Sequence, residues 1–376
     1  MMRILTAFLS LVAVLPAPAL ACSLCGSSLA RSTSLVFEYS QSTVVIYGTL
    51  ANPRFVGNPG LGRGTTEFHI KRVIKGDAAF SRKNPLTLSR YLPVLDPKAP
   101  PTYVMFIRDP KKNLEPHWGK EITSPAVLDF VARLDRLRDE PEQMLLTAAK
   151  AFDHADSDIA DEAFLLFAKA DDKLITKVAP KLSPGNLRKL VKDRDLAPER
   201  MSMFAYLLGA CGNADDAELL RSLLKNPPAR FYKSFEGILA GYITMRPKEG
   251  WTAARGMLSN PKESFLLRYA TLRTMRFFYN ASPKENEAQV LDGLNLALGQ
   301  TDLADIAIQD LRKWKRWEHT KKIIAAWDQK DFQTPIIQQN IIRYALACPL
   351  PEAKTVVARA RRQDPELVRD LEQELK

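Results

Sequence analysis

The amino-acid sequence predicts a two-part α+β protein, in which a small β-domain precedes an all-α array of helices. Residues 42–107 contain short runs of β-branched and aromatic residues separated by turn signals, a pattern typical of strands. From residue 124 onward apolar residues recur at helical spacing instead. Helix-start signals return roughly every thirty to forty residues, which is typical of two-helix repeats.

The first 21 residues have the pattern of a secretory signal peptide. Arg3 is the positive residue, residues 4–15 form an uncharged apolar run, and residues 19–21 read Ala-Leu-Ala, a cleavage signal. The run is shorter than the ~20 residues of a membrane-spanning helix, and no later segment approaches that length. We therefore predict cleavage after Ala21, a secreted or periplasmic protein, and no transmembrane segment.

The mature chain would begin with Cys22, followed three residues later by Cys25. We favour a local disulfide or N-terminal anchor for this pair. A thiol–disulfide oxidoreductase is an alternative, although such a site normally opens a helix that follows a strand. A lipid anchor at Cys22 is less favoured, because bulky Leu20 stands where lipoprotein signals carry a small residue. Cys211 and Cys348 lie in apolar helical patterns and are expected to be buried free thiols.

The β-domain, residues 22–123, contains at least four predicted strands and one short helix before them. The first strand should end at the turn signal Asn52-Pro53, and the change of phase at residues 73–74 indicates a bulge in the second strand. The Gly-rich segment 57–64 is expected to be a hairpin loop, because no Gly-Lys-Ser/Thr follows it. The helix is predicted within residues 28–39 and the strands near residues 44–50, 65–74, 86–88 and 103–107.

Two strand segments resemble a known family. Together with a mature N-terminus at Cys22, residues 44–48 (VVIYG) and 68–76 (FHIKRVIKG) resemble the netrin-like, OB-type domain of the tissue inhibitors of metalloproteinases. The resemblance implies a small closed β-barrel. It also implies a metalloenzyme inhibitor in which the amine and carbonyl of Cys22 chelate the metal of the enzyme. Those inhibitors begin Cys-x-Cys, whereas the spacing of Cys22 and Cys25 in this chain is Cys-x-x-Cys.

The helical part, residues 124–376, shows repeated start signals. Each combines a capping residue or a proline with an apolar run behind it, as the first turn of a helix requires. These signals stand at residues 156–158, 197–199, 260–263, 300–302 and 334–335.

Two of the helical segments, residues 303–311 (LADIAIQDL) and 336–346 (IIQQNIIRYAL), resemble helices of HEAT or armadillo-type repeats. The resemblance implies an α-solenoid, whose stacked helix pairs expose a long concave surface to a protein or polymer partner. A compact bundle of similar helices is the alternative.

Charge and motif content point to binding and away from catalysis. The chain carries a formal net charge of +11, and residues 22–124 hold 14 Lys plus Arg against 7 Asp plus Glu. Such an excess favours anionic partners. We do not expect nucleic acid among them, because the protein is predicted to be exported. The sequence contains no Gly-x-Ser-x-Gly and no closely spaced histidine pair. We therefore predict no catalytic residues, metal site or cofactor.

The densest group of basic and aromatic residues is the candidate contact site for a protein or anionic polymer. Cationic and aromatic side chains so interleaved grip polyanions. In the structural alternative, the two tryptophans pack between helices while the cationic heads reach solvent. The candidate residues are Arg312, Lys313, Trp314, Lys315, Arg316 and Trp317.

Overall fold

The computed structural model describes Leu24 and residues 32–55, 64–111, 115–225 and 232–375. In these residues a five-stranded antiparallel sheet precedes a long series of helices, which confirms the predicted α+β order. A first helix, α1 (Leu35–Gln41), begins later than predicted because Ser34 is its N-cap and accepts from the Phe37 amide. The strands are β1 (Val44–Phe55), β2 (Gly64–Lys75), β3 (Leu86–Leu88), β4 (Thr102–Ile107) and β5 (Trp118–Glu121).

The sheet is open, in contrast to the closed barrel that the sequence predicts. Its strand order is β3-β2-β1-β4-β5, so the short strands β3 and β5 lie at opposite edges and do not pair with each other. One face packs on helices, and the other is covered by the 3-10 helix Ala78–Lys83 and residues 92–94. The sheet therefore buries its apolar side chains on both faces without closing on itself.

The predicted bulge in β2 is confirmed. Val45 faces Lys75 and Ile46 faces Val73 across β1 and β2, which leaves Ile74 as the extra residue. The strand end predicted at Asn52-Pro53 is wrong, because β1 continues to Phe55. Asn52 has a φ of 47°, and the register shifts between Ala51 and Arg54. This irregularity accommodates Pro53, which has no N–H for the ladder.

Sixteen α-helices follow the sheet in the described residues. Several begin where the sequence predicts, with Asp156 as the N-cap of α4 and a proline opening α7 and α15. Their bounds are α2 (Ala126–Asp135), α3 (Pro141–Ala149), α4 (Ser157–Lys169), α5 (Asp172–Val178), α6 (Pro184–Lys192), α7 (Pro198–Cys211), α8 (Ala214–Lys225), α9 (Phe235–Met245), α10 (Pro247–Ser259), α11 (Phe265–Ala281), α12 (Pro283–Ala297), α13 (Ala304–Lys313), α14 (Thr320–Ala325), α15 (Pro335–Ala347), α16 (Pro351–Gln363) and α17 (Pro365–Glu374).

The helices stack as successive pairs. Helix α7 packs on α9, α9 on α11, and α13 on α15, while α8, α10, α12 and α16 each pack on the preceding helix of their pair. Two ion pairs connect α11 to the next pair of helices. Arg268 pairs with Asp302 and Arg276 pairs with Asp310, and in each case the two residues are 34 positions apart in the sequence. This arrangement is compatible with a helical solenoid.

The apolar core continues from the sheet into the first helices. Val45, Val104 and Phe106 belong to the same buried cluster as residues of α2, α4 and α7, and a second cluster extends from Phe235 to Leu371. The proposed division at residues 123 and 124 stays a prediction, and the strands and helices on its two sides share apolar contacts.

Helices α7 and α9 cross at backbone contact, where only small residues fit. A Cβ added at Gly209 would lie 2.3 Å from the Cα of Gly241, and one added at Gly237 would lie 1.8 Å from the Ser202 carbonyl oxygen. A Cβ at Gly241 would lie 2.4 Å from the Ala205 oxygen. All three neighbours are backbone atoms, so the helices would have to separate to admit a methyl group.

We predict that Gly241→Ala lowers the free energy of unfolding by about 1–3 kcal/mol, because overpacking forces the two helices apart. Gly256 in α10 is the matched control, since an added Cβ there meets nothing within 4 Å. Gly256→Ala should stabilise by about 0.5–1 kcal/mol through the higher helix propensity of alanine. Urea unfolding of both variants checks this, and equal effects of the two substitutions would contradict the close crossing.

Candidate functional site

The basic-aromatic cluster forms a tight turn between α13 and α14, which we call the basic turn (residues 312–319). Two residues after the end of α13, Lys315 adopts the left-handed conformation, with a φ of 57°. The Arg316 amide then donates to the Leu311 carbonyl oxygen at 2.8 Å, and the Lys315 amide to that of Arg312 at 3.1 Å. Glycine is the usual residue at this position, because a Cβ makes the left-handed conformation costly.

The two tryptophans of the basic turn pack against neighbouring helices. The Trp314 ring stacks on Tyr279 of α11, with centroids 3.8 Å apart and planes inclined by 18°. Trp317 meets Tyr344 of α15 edge to face at 5.2 Å. Both tryptophans are half-buried, as in the structural alternative, so their rings hold the turn in place.

The cations of the basic turn fall into two groups. Arg316 is neutralised locally, because it forms an ion pair with Glu287 and donates to the Tyr279 hydroxyl at 3.0 Å. Lys313 and Lys315 are exposed and have no ion-pair partner among the described residues. The Arg312 Nε atom is buried without a hydrogen-bond acceptor.

Burial, together with the positive charge of Arg343, lowers the pKa of the Arg312 guanidinium. An anion that binds this guanidinium would supply the missing hydrogen-bond acceptor and a charge-assisted hydrogen bond.

A buried hydroxyl network fixes the backbone beneath the basic turn. Thr320 Oγ1 donates to the Trp317 carbonyl oxygen at 2.6 Å and lies 3.1 Å from the Tyr344 hydroxyl, which donates to the Arg316 carbonyl oxygen at 2.9 Å. The thiol of Cys348 lies 3.3 Å from Thr320 Oγ1. Burial raises the pKa of Tyr344 to about 12, so its hydroxyl keeps its proton and remains a donor.

The two C-terminal cysteines are free thiols, as expected. Cys348 is buried, and Cys211 is half-buried. Burial and the nearby Asp216 raise the pKa of Cys211 to about 11, so its thiol stays protonated near neutral pH.

The N-terminal pair Cys22 and Cys25 lies outside the described residues, so the disulfide or anchor proposed there stays a prediction, as do the inhibitor and oxidoreductase alternatives. Leu24 between them is described and is fully buried in the core that includes α4 and α7. The Ser202 hydroxyl of α7 donates to its carbonyl oxygen at 2.9 Å. Leu24 is therefore anchored to the helical array by both its side chain and its backbone.

Next to this anchor, the sheet and the first helices enclose a cleft of about 590 Å³ that we call the junction cleft. Sequence reasoning missed it because its lining comes from four separate segments: the residues before α1, β5, α4 and the start of α7. Its lining residues are Ser32, Thr33, Trp118, Lys120, Asp161, Phe164, Leu165, Ala197, Glu199 and Arg200.

A buried carboxylate, Glu236, lies in the first turn of α9. It is close enough to Glu199 for the two negative charges to repel each other. Arg273 of α11 approaches its Oε1 at 2.8 Å, whereas Oε2 is buried without a hydrogen-bond partner. Burial raises the pKa of Glu236 to about 7, and the negative charge of Glu199 adds a smaller contribution in the same direction.

The histidines of the described residues are dispersed. His117 lies 2.6 Å from the buried carboxylate of Glu38 in α1, and His69 lies 3.3 Å from Glu67. Among the described residues, no three His, Cys, Asp or Glu side chains are grouped as a metal ion requires. In the same part of the chain, each helix is too short or too polar to cross a bilayer.

Comparison with protein-family models, with curated proteins and with solved structures finds no match to this chain. These comparisons show no family for the chain, and the resemblances to HEAT or armadillo-type repeats and to netrin-like domains stay predictions from the quoted sequence segments.

We predict that Lys315→Gly raises the free energy of unfolding by about 1 kcal/mol, because glycine adopts a positive φ without steric cost. The control is Lys313→Gly, two residues earlier in the last turn of α13, which should destabilise by about 1 kcal/mol through lost helix propensity. Thermal and urea unfolding measure both. Destabilisation of equal size in the two variants would show that residue 315 is not in the left-handed region.

The raised pKa of Glu236 predicts a pH-dependent stability. Its usual value is 4.5 and its folded value about 7, so the native state holds a proton that the unfolded state releases between these values. This contribution is complete below about pH 4.5 and is lost as the pH rises through 7. Glu236→Gln should therefore be more stable than the wild type at pH 8, by up to about 3 kcal/mol. At pH 5 the two proteins should differ little.

Urea midpoints at the two pH values measure this difference. Glu218→Gln on the exposed face of α8 is the control, and it should shift stability equally little at both. A Glu236→Gln effect that is the same at pH 5 and pH 8 would exclude a titrating carboxyl at this position.

Proposed function

We propose that this chain is an exported, non-catalytic binding protein, whose helical array presents the basic turn to an anionic protein or polymer. The observation that carries the proposal is the group of cations without carboxylate partners at one turn: Arg312, Lys313 and Lys315. Elsewhere in the array, arginines such as Arg188, with Asp216, form close ion pairs.

The strained backbone supports the same conclusion. A lysine occupies the left-handed position that glycine would adopt at lower cost, and residues held in such conformations concentrate at functional sites. The packed rings of Trp314 and Trp317 and the hydroxyl network beneath them hold this turn in one conformation. A partner that meets a preorganised cationic surface loses less entropy on binding.

The proposed partner contributes negative charge, which fits the position of the available cations. Among the described residues, Glu287 of α12 and Glu318 of the turn itself pair with Arg316. The exposed ammonium groups of Lys313 and Lys315 remain available to the partner, and so does the exposed part of the half-buried Arg312 side chain.

The test uses fluorescently labelled heparin as a polyanion and labelled dextran as a neutral polymer. Lys313→Glu/Lys315→Glu reverses two exposed charges without touching the packed residues. We expect it to bind heparin at least tenfold more weakly than the wild type, with a logarithmic salt dependence reduced by about two, one for each lost contact.

The matched control is Lys262→Glu/Lys354→Glu, which makes the same charge change at exposed positions of the array. It should stay within about twofold of the wild type, since distant charges are screened beyond ~8–10 Å. Equal weakening in the two double variants, or wild-type binding to heparin no stronger than to dextran, would refute the proposal.

A further inference from the structure

The junction cleft has the size and position of a small-molecule site. Its volume of about 590 Å³ falls in the ~300–1,000 Å³ range of ligand pockets, and it lies between the sheet and the helices, where such sites are frequent. Its lining comes from Ser32 and Thr33 before α1, from Trp118 and Lys120 of β5, from α4, and from the start of α7.

The floor of the cleft is apolar and aromatic. Phe164 is 3% exposed and Leu165 is 9% exposed, so each reaches the cleft with only a small part of its surface. The half-buried Trp118 packs on Phe106 at 5.2 Å between ring centroids. These side chains suit a flat or branched hydrocarbon body.

The cations that line the cleft are already neutralised. The guanidinium of Arg200 lies over the Phe164 ring at 5.2 Å and forms an ion pair with Asp161. Lys120 Nζ contacts Asp158 Oδ1 at 3.0 Å. Hydrogen bonds from Thr123 and Lys120 outweigh burial and lower the pKa of Asp158, so this pair stays ionised.

Glu199 is the carboxylate of the cleft that lacks a counter-ion. It lies in the first turn of α7, and it has no hydrogen-bond or ion-pair partner within the part of the chain that the structure describes. The four charged residues that line the cleft, Lys120, Asp161, Glu199 and Arg200, sum to zero, and Glu199 is the one of them without an ion-pair partner among the described residues.

We propose that the junction cleft binds a small ligand with an aromatic or branched apolar body and one ammonium group. The body lies against Trp118, and the ammonium group pairs with Glu199. Aromatic faces next to the cationic group add a favourable contact. The inference is independent of the basic turn, because no residue of that turn lines the cleft.

The experiment compares two probes of similar shape and opposite charge, phenethylamine and 3-phenylpropionate, binding to the full chain by calorimetry. A third probe, the tripeptide amide Phe-Gly-Gly, tests whether the natural ligand is a free amine or the N-terminus of a peptide, since both carry an ammonium group next to an aromatic side chain. We expect phenethylamine to bind at least tenfold more tightly than 3-phenylpropionate. Tighter binding of the tripeptide would assign the site to peptide N-termini.

Variants locate the site. Glu199→Gln should abolish the preference for the amine, Glu199→Asp should retain most of it, and Glu218→Gln on α8 should leave it unchanged. Trp118→Phe should remove the change in tryptophan fluorescence that accompanies binding. The proposal fails if the carboxylate probe binds as well as the amine, if neither probe binds, or if Glu199→Gln keeps the preference while unfolding at the wild-type temperature.

Discussion

Glu162 of α4 is a buried carboxylate that connects the helical array to the segment that carries the sheet. It accepts from the Ser34 hydroxyl at 2.5 Å and from the Leu35 and Val36 amides at 2.9 and 3.0 Å, which are the first residues of α1. A buried charge without such donors costs several kcal/mol, roughly 3–5 when one partner is removed. The position of α1, and with it the face of the sheet that α1 and α2 cover, depends on this contact.

The order of elements was accessible from the sequence because it rests on local signals. Pro198 and Pro335 open helices, Asp156 caps one, and the phase change at Ile74 is the observed bulge. The open sheet was not accessible, since closure depends on whether distant helices cover its face. The α7–α9 crossing was missed for a related reason: α7 is apolar on most sides, and only its partner shows why Gly209 must be small.

The candidate sites, like the fold, were predictable from the sequence only where the signal is local. The basic turn was identified as a cluster, but the roles of its rings are set by Tyr279 and Tyr344, which lie on other helices. The junction cleft gave no local signal, because Arg200 and Asp161 are 39 residues apart and each looks like an ordinary surface charge. The groups that lack ion-pair partners among the described residues differ in sign between the two sites: they are lysines in the basic turn and the Glu199 carboxylate in the junction cleft.

The backbone contact between α7 and α9 has a mechanical consequence for the array. Long side chains join later pairs, as Arg276 joins Asp310, and such chains can change rotamer while two helices slide. Gly237 and Gly241 have no side chain that can adapt in this way, so their backbone contact with α7 restricts sliding of the two helices. We therefore expect larger relative motion between the later helix pairs than between α7 and α9.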